Sequence, residues 1–205
     1  MKTLTLTLIT IFVFSVVESF SQDQAKLIAA FSDSYTKEKS KKYSEAAKSL
    51  KAYYDASSYE INLRLGWLTY LDGQFTESLN YYNKAIEILP YAIEPRFGVV
   101  LPASSLGNWD MVVAQYKKIL SIDPKNTVVL HRMGLILYDK KDYKQAYQFF
   151  EQVVNLYPFD YSSMLMLAWT NYRLGKIREA KILFNKALLY NPGDASATEG
   201  LGLIK

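Results

Sequence analysis

From Tyr59 onward, apolar residues recur three and four positions apart in segments separated by short polar breaks, the pattern of amphipathic helices. A longer rhythm lies over it. Pro90, Pro124, Pro158 and Pro192 stand 34 residues apart and divide the chain into 59–92, 93–126, 127–160 and 161–194. Each unit reads as two helices with a breaker after the second. Proline lacks a backbone donor and disfavours helix at the residue before it, so each of these prolines stops a helix.

The units agree column by column. Leu65, Val99, Met133 and Leu167 share one column, and Gly66, Val100, Gly134 and Ala168 the next. Gly73, Gly107, Lys141 and Gly175 mark the turn between the two helices. Ser78, Val112, Ala146 and Ala180 follow, then Tyr82, Tyr116, Phe150 and Phe184. "LGWLTYLDG" at Leu65–Gly73 returns as "LAWTNYRLG" at Leu167–Gly175, which sets Trp67 and Trp169 three periods, 102 positions, apart.

A Leu-Gly step followed by Tyr, Ala, Phe and Pro positions at this period resembles the tetratricopeptide repeat. The resemblance implies an all-α, right-handed α-solenoid of antiparallel helix hairpins, about five repeats plus a short C-terminal capping helix. Small residues let the two helices of a hairpin approach, Gly134 facing Ala146 and Ala168 facing Ala180, while stacked hairpins share one core. A degenerate first repeat occupies 25–58, with Phe31, Tyr35, Tyr43, Ala46 and Leu50 in order, an inter-helix turn two residues too long and no closing proline. Residues 195–205 begin another first helix with no second and read as a cap. In 93–126 the small pair becomes Val100 and Val112, and Pro102 falls inside the first helix opposite Gly98, so a kink or local widening is expected there.

The resemblance further implies a binding surface on the first helices. Its columns hold Leu63, Phe97, His131 and Leu165, then Trp67, Leu101, Leu135 and Trp169, then Tyr70, Ser104, Tyr138 and Tyr172, with Arg173 and Asp139 at the rim. These places carry no Lys-Asn-Arg set for gripping a carboxylate, so an apolar partner segment, helical or extended, suits them better. Two readings of the tryptophans stand side by side, groove and core. The tyrosine column reads more readily as core, and His131 as a partly buried polar side chain.

Composition narrows the function. Half of the 205 residues are hydrophobic, enough for a sizeable core. A net charge of +4 from 24 basic and 20 acidic residues is too mixed for a nucleic-acid binder. The lysines at 37, 39, 41 and 42 read as a solvated loop. Without cysteine there is no disulfide, thiolate metal site or thiol nucleophile, and a single histidine, His131, rules out a histidine metal cluster. No phosphate-binding glycine loop or serine elbow is present, so neither enzyme nor cofactor is expected. At the N-terminus, Lys2, an apolar stretch Leu4–Val17 and Ser19-Phe20-Ser21 form a signal-peptide pattern, 1–21, of the kind seen in Bacteroidetes. Glu18 and the short apolar length disfavour a membrane span, which needs about 20 apolar residues. The mature domain is then 22–205, exported to the periplasm or secreted. The expected role is a scaffold for a protein or peptide partner, the alternative a solenoid that assembles with itself near Tyr53 and Leu203.

Overall fold

The structure is a computed structural model and describes residues 23–204; the signal segment 1–21 lies outside them. The described residues form eleven helices and no strand. Helix α1 covers 23–39. It is followed by α2 (Tyr43–Lys51), α3 (Tyr59–Leu71), α4 (Phe75–Ile88), α5 (Glu94–Ser105), α6 (Trp109–Ile122), α7 (Thr127–Asp139), α8 (Tyr143–Leu156), α9 (Tyr161–Arg173), α10 (Ile177–Tyr190) and α11 (Ala195–Leu203). Two compact units divide within α6, between Val112 and Val113. In the first, α3 packs on α2, α4 and α5; in the second, α9 packs on α7, α8, α10 and α11.

Short turns make each helix pair a hairpin, and all five turns use the same closure. The turn residue is left-handed at Lys41 (φ 58°), Gly73 (77°), Gly107 (70°), Lys141 (61°) and Gly175 (74°). The residue after it donates its N–H back to the carbonyl five positions earlier: Lys42 to Lys37, Gln74 to Thr69, Asn108 to Ala103, Asp142 to Leu137, Lys176 to Asn171, each at 2.8–2.9 Å. This Schellman closure satisfies carbonyls that the helix end would otherwise leave open. A Cβ at Gly73, Gly107 or Gly175 would meet nothing, so these glycines answer to φ alone. Lys141→Gly is therefore expected to stabilise the protein by about 1 kcal/mol and Gly175→Ala to destabilise it by a similar amount, read as opposite shifts of the denaturation midpoint.

Lys41 corrects the reading of the first repeat. Its turn has the ordinary length, and the missing residues lie further on. Tyr43 to Tyr59 is two positions shorter than Tyr143 to Tyr161: α2 has 9 residues where α8 has 14, and the longer segment 52–58, against 157–160, makes up only part of the difference. In this register Ser34 holds the small-residue position, and it is fully buried.

Helix starts carry a second periodic device. Ser58, Asn126, Asp160 and Asp194 accept the N–H three residues on, from Ile61, Val129, Ser163 and Ala197. The same column holds Ala92 before α5, which starts after Ile93 without a side-chain cap.

The irregularity expected in α5 does not interrupt the helix. The helix is continuous from Glu94 to Ser105 with Pro102 inside it. Pro102 stands three residues from the helix end, so its missing N–H removes one bond close to the last turn, and its ring is buried. Gly98 has another reason to be glycine. A Cβ there would lie 2.3 Å from the Tyr82 ring, and one at Gly66 2.8 Å from the same ring. Tyr82, 3% exposed, is thus held between α3 and α5. The pattern recurs in the second unit, where Phe150 covers Gly134 and Phe184 covers Gly200. The glycines meet aromatic rings, while Ala146, Ala168 and Ala180 are buried beside them. Ser78 does approach Gly66 closely, donating its hydroxyl to the glycine carbonyl at 2.7 Å.

Candidate functional site: the first-helix surface

In the first unit, α3 presents Leu63, Trp67 and Tyr70, and α5 presents Phe97 and Leu101; all five are half-buried. Trp67 and Tyr70 touch at 5.8 Å between ring centres, and Tyr70 continues to Phe75 at 5.9 Å. The Trp67 indole is tied inward. Its N–H donates to Glu38 Oε1 of α1 at 2.7 Å, and the other oxygen of that carboxylate pairs with Arg64 at 2.5 Å. Arg64 is 8% exposed, donates Nε–H to Ser34 Oγ at 3.2 Å and lies 3.8 Å over the Tyr35 ring. Burial pushes the Glu38 carboxyl up, but the Trp67 N–H and Arg64 outweigh it and hold its pKa below the ordinary value.

In the second unit, neighbouring first helices are bridged pairwise. His131 of α7 shares a hydrogen bond with Ser163 Oγ of α9 at 2.8 Å and meets the Phe150 ring edge-on at 5.6 Å. Burial lowers the His131 pKa, with Asp160 opposing and Arg132 assisting. Arg173 donates to the Tyr138 hydroxyl at 3.5 Å, and Tyr138 rests edge-on against Tyr143 at 5.2 Å. Trp169 meets Tyr172 at 5.8 Å and Phe184 at 5.0 Å, and its indole N–H donates to Ser196 Oγ of α11 at 2.8 Å. Leu135 and Leu165 lie half-buried against the core. Of the predicted surface residues of this unit, Arg173 is exposed, as is Asp139 at the rim, while the others are half-buried.

The two tryptophans therefore occupy one column with opposite partners, Trp67 an earlier helix and Trp169 a later one. Both keep part of the ring at the surface. Reading the residues alone missed Ser34, Glu38, Arg64, Ser163 and Ser196. One signal was available: Arg64 sits within the apolar run "LRLGWL", where a buried guanidinium requires a carboxylate.

The His131–Ser163 contact brings a serine beside the single imidazole, which spacing had not foretold. Ser163 is fully buried, and Asp160 accepts the backbone N–H of Ser163 rather than orienting the imidazole. A cavity of about 330 Å³ lies against His131, Arg132, Asp160 and Ser162. Among the described residues no group of three His, Asp or Glu could hold a metal ion, and no helix is long and apolar enough to cross a membrane.

Stacked antiparallel hairpins with a 34-residue period, a left-handed turn residue and rings seated on glycines define a helical-repeat protein of the kind that works by contact. Family models described as "Tetratricopeptide repeat" match residues 37–93 and 137–201, and the chain belongs to that family. Among curated proteins it is similar to the type IV pilus assembly protein PilF of Pseudomonas aeruginosa, 27% identical over 144 residues, 69% of this chain and 56% of PilF. It is also similar to the RNA polymerase-associated protein CTR9 of Caenorhabditis elegans, 24% identical over 136 residues, 63% of this chain and 12% of CTR9. The chain thus spans about an eighth of CTR9 and little more than half of PilF. Among solved structures, a tetratricopeptide repeat protein from Parabacteroides merdae superposes with a TM-score of 0.73 at 21% identity, over 86% of this chain and 71% of that one. The PilF structure does so with 0.56 at 24%, over 71% and 67%. These likenesses establish the fold.

Proposed function

We propose that the protein is a non-enzymatic scaffold that takes up protein-partner segments on the aromatic first-helix surface of each unit, Leu63, Trp67, Tyr70, Phe97 and Leu101 in the first and His131, Leu135, Tyr138, Leu165, Trp169, Tyr172 and Arg173 in the second. The tetratricopeptide fold supports an interaction scaffold. The observation that carries the finer reading is that these rings are clamped from within yet left part-exposed: each indole N–H is held by another helix while the ring keeps an open side. Clamped aromatics offer contact area at little loss of side-chain freedom on binding. The signal-peptide pattern at 1–21 supports an exported chain, periplasmic or secreted, and the likeness to a pilus assembly protein is compatible with an envelope role.

The test is a photo-reactive residue placed at Leu63 or Leu165, with the outward Gln148 as control, in cells of the source organism. Cross-links to one partner from the first two positions only, on protein whose intact mass begins at Gln22, are the expected result. Cross-links from Gln148 alone would move the surface elsewhere; a full-length mass would remove the export reading.

A further inference from the structure

The outward faces of the second helices repeat with the same period, and one of them differs. One exposed column reads Asn80, Ala114, Gln148 and Ile182; a second reads Glu87, Ser121, Asn155 and Leu189. In α4, α6 and α8 these positions are polar or small, as a solvated face should be. In α10 both are large and apolar, with Ile182 50% and Leu189 78% exposed. Neither contributes to the core of its own hairpin, which uses Ala180, Phe184 and Ala187.

The two apolar residues belong to a longer seam. Arg178, Ile182, Asn185 and Leu189 are spaced four, three and four apart, the spacing with which one helix receives another. Lys181 flanks the seam on one side and Lys186 on the other, and both are exposed. Neither they nor Arg178 has an ion-pair partner among the described residues. The acid of α10, Glu179, lies toward Tyr147 of α8. Asn185 turns back onto its own helix, donating to the Lys181 carbonyl at 2.8 Å, which leaves the middle of the seam low.

We propose that this face of α10 is a second interaction surface, separate from the first-helix surface, and that its occupant is an amphipathic helix of a protein partner bearing acidic residues along both edges of its apolar stripe. The flanking charges select that occupant. Carboxylates beside the partner's stripe would meet Lys181 and Lys186, the pairing that sets partner choice between helices. A second copy of the same face is disfavoured in either direction, because parallel alignment opposes Lys181 to Lys186 and antiparallel alignment opposes each lysine to itself.

The experiment uses the purified protein and a fluorescent helical peptide about three heptads long, with Leu at the seam positions and Glu at the flanks, beside the same peptide with Lys at the flanks. Binding of the acidic peptide, weakening as salt is raised, with no binding of the basic one, is the expected result. Ile182→Gln with Leu189→Asn installs the residues that α8 carries in those columns. It should weaken binding by about tenfold or more while the circular dichroism melt stays unchanged. Lys181→Glu with Lys186→Glu should invert the preference toward the basic peptide. The proposal is overturned if both peptides bind equally, or if binding survives the Gln/Asn variant. It is also overturned if phosphatidylglycerol vesicles, but not the acidic peptide, are retained through Ile182 and Leu189, or if those residues instead support a dimer in sedimentation.

Discussion

Gly98→Ala is expected to destabilise the protein by about 3 kcal/mol, the upper end of what overpacking a tight core usually costs. The new Cβ would lie 2.3 Å from Cε1 and 2.4 Å from Cδ1 of Tyr82. The ring has no room to withdraw, since it is 3% exposed and also lies against Gly66 of α3. The sign of the effect is informative. Were Gly98 clear of the Tyr82 ring, alanine would improve helix propensity and stabilise by roughly 1 kcal/mol. Thermal or urea denaturation decides between them. A Tyr82→Leu background, in which the Cβ has space, should reduce the penalty to under about 1 kcal/mol, the coupling expected of residues in direct contact. An unchanged midpoint for Gly98→Ala alone would refute the seating of Tyr82 on this glycine.

The second large effect concerns Glu38. Glu38→Ala leaves the Arg64 guanidinium buried beside Ser34 and Tyr35 with no carboxylate, and the expected loss is about 3 kcal/mol. Glu38 keeps 24% of its side chain exposed, which places the loss at the lower end of the range for broken buried pairs. Adding Arg64→Met should recover most of it, because removing both charges leaves no uncompensated one. The pair also predicts a pH dependence. The folded-state pKa of Glu38 lies below its ordinary value of 4.5, so the unfolded chain takes up the proton first as pH falls. The contribution is fully present above pH 4.5 and disappears as pH falls through the folded pKa. Glu38→Gln should flatten the acid limb of the stability profile, and a limb of unchanged steepness would count against the pair.

Both predictions rest on contacts that the repeat pattern does not spell out. The helix pairs, the turn positions and the family were legible because each depends on residues within one period: proline at the breaker, glycine at the left-handed turn, an aromatic in the second helix. The turn at Lys41 was read as two residues too long because the first repeat was laid out at the full period, whereas its deficit lies after the turn, where α2 is cut short. A kink or widening at Pro102 was expected from local chemistry, and the helix nonetheless runs unbroken from Glu94 to Ser105. At the first-helix surface, helical spacing correctly set Trp67 beside Tyr70 and Trp169 beside Tyr172. It could not name Glu38 or Ser196, which lie 29 and 27 positions from their tryptophans on other helices. A column shows which residues are equivalent in backbone, and says nothing of which neighbour each side chain chooses.

That difference gives the chain a polarity that its period conceals. Three residues before the turn lysine, α1 carries Glu38, whereas α7 carries Tyr138 before Lys141. The phenol of Tyr138 takes the Arg173 side chain, and Trp169 bonds forward to Ser196 instead. The hairpins 59–92 and 161–194 are therefore not interchangeable modules. A chimera that exchanged them would keep every helix and turn in step. It would nonetheless strand Glu38 without Arg64, since the residue 102 positions after Arg64 is Met166.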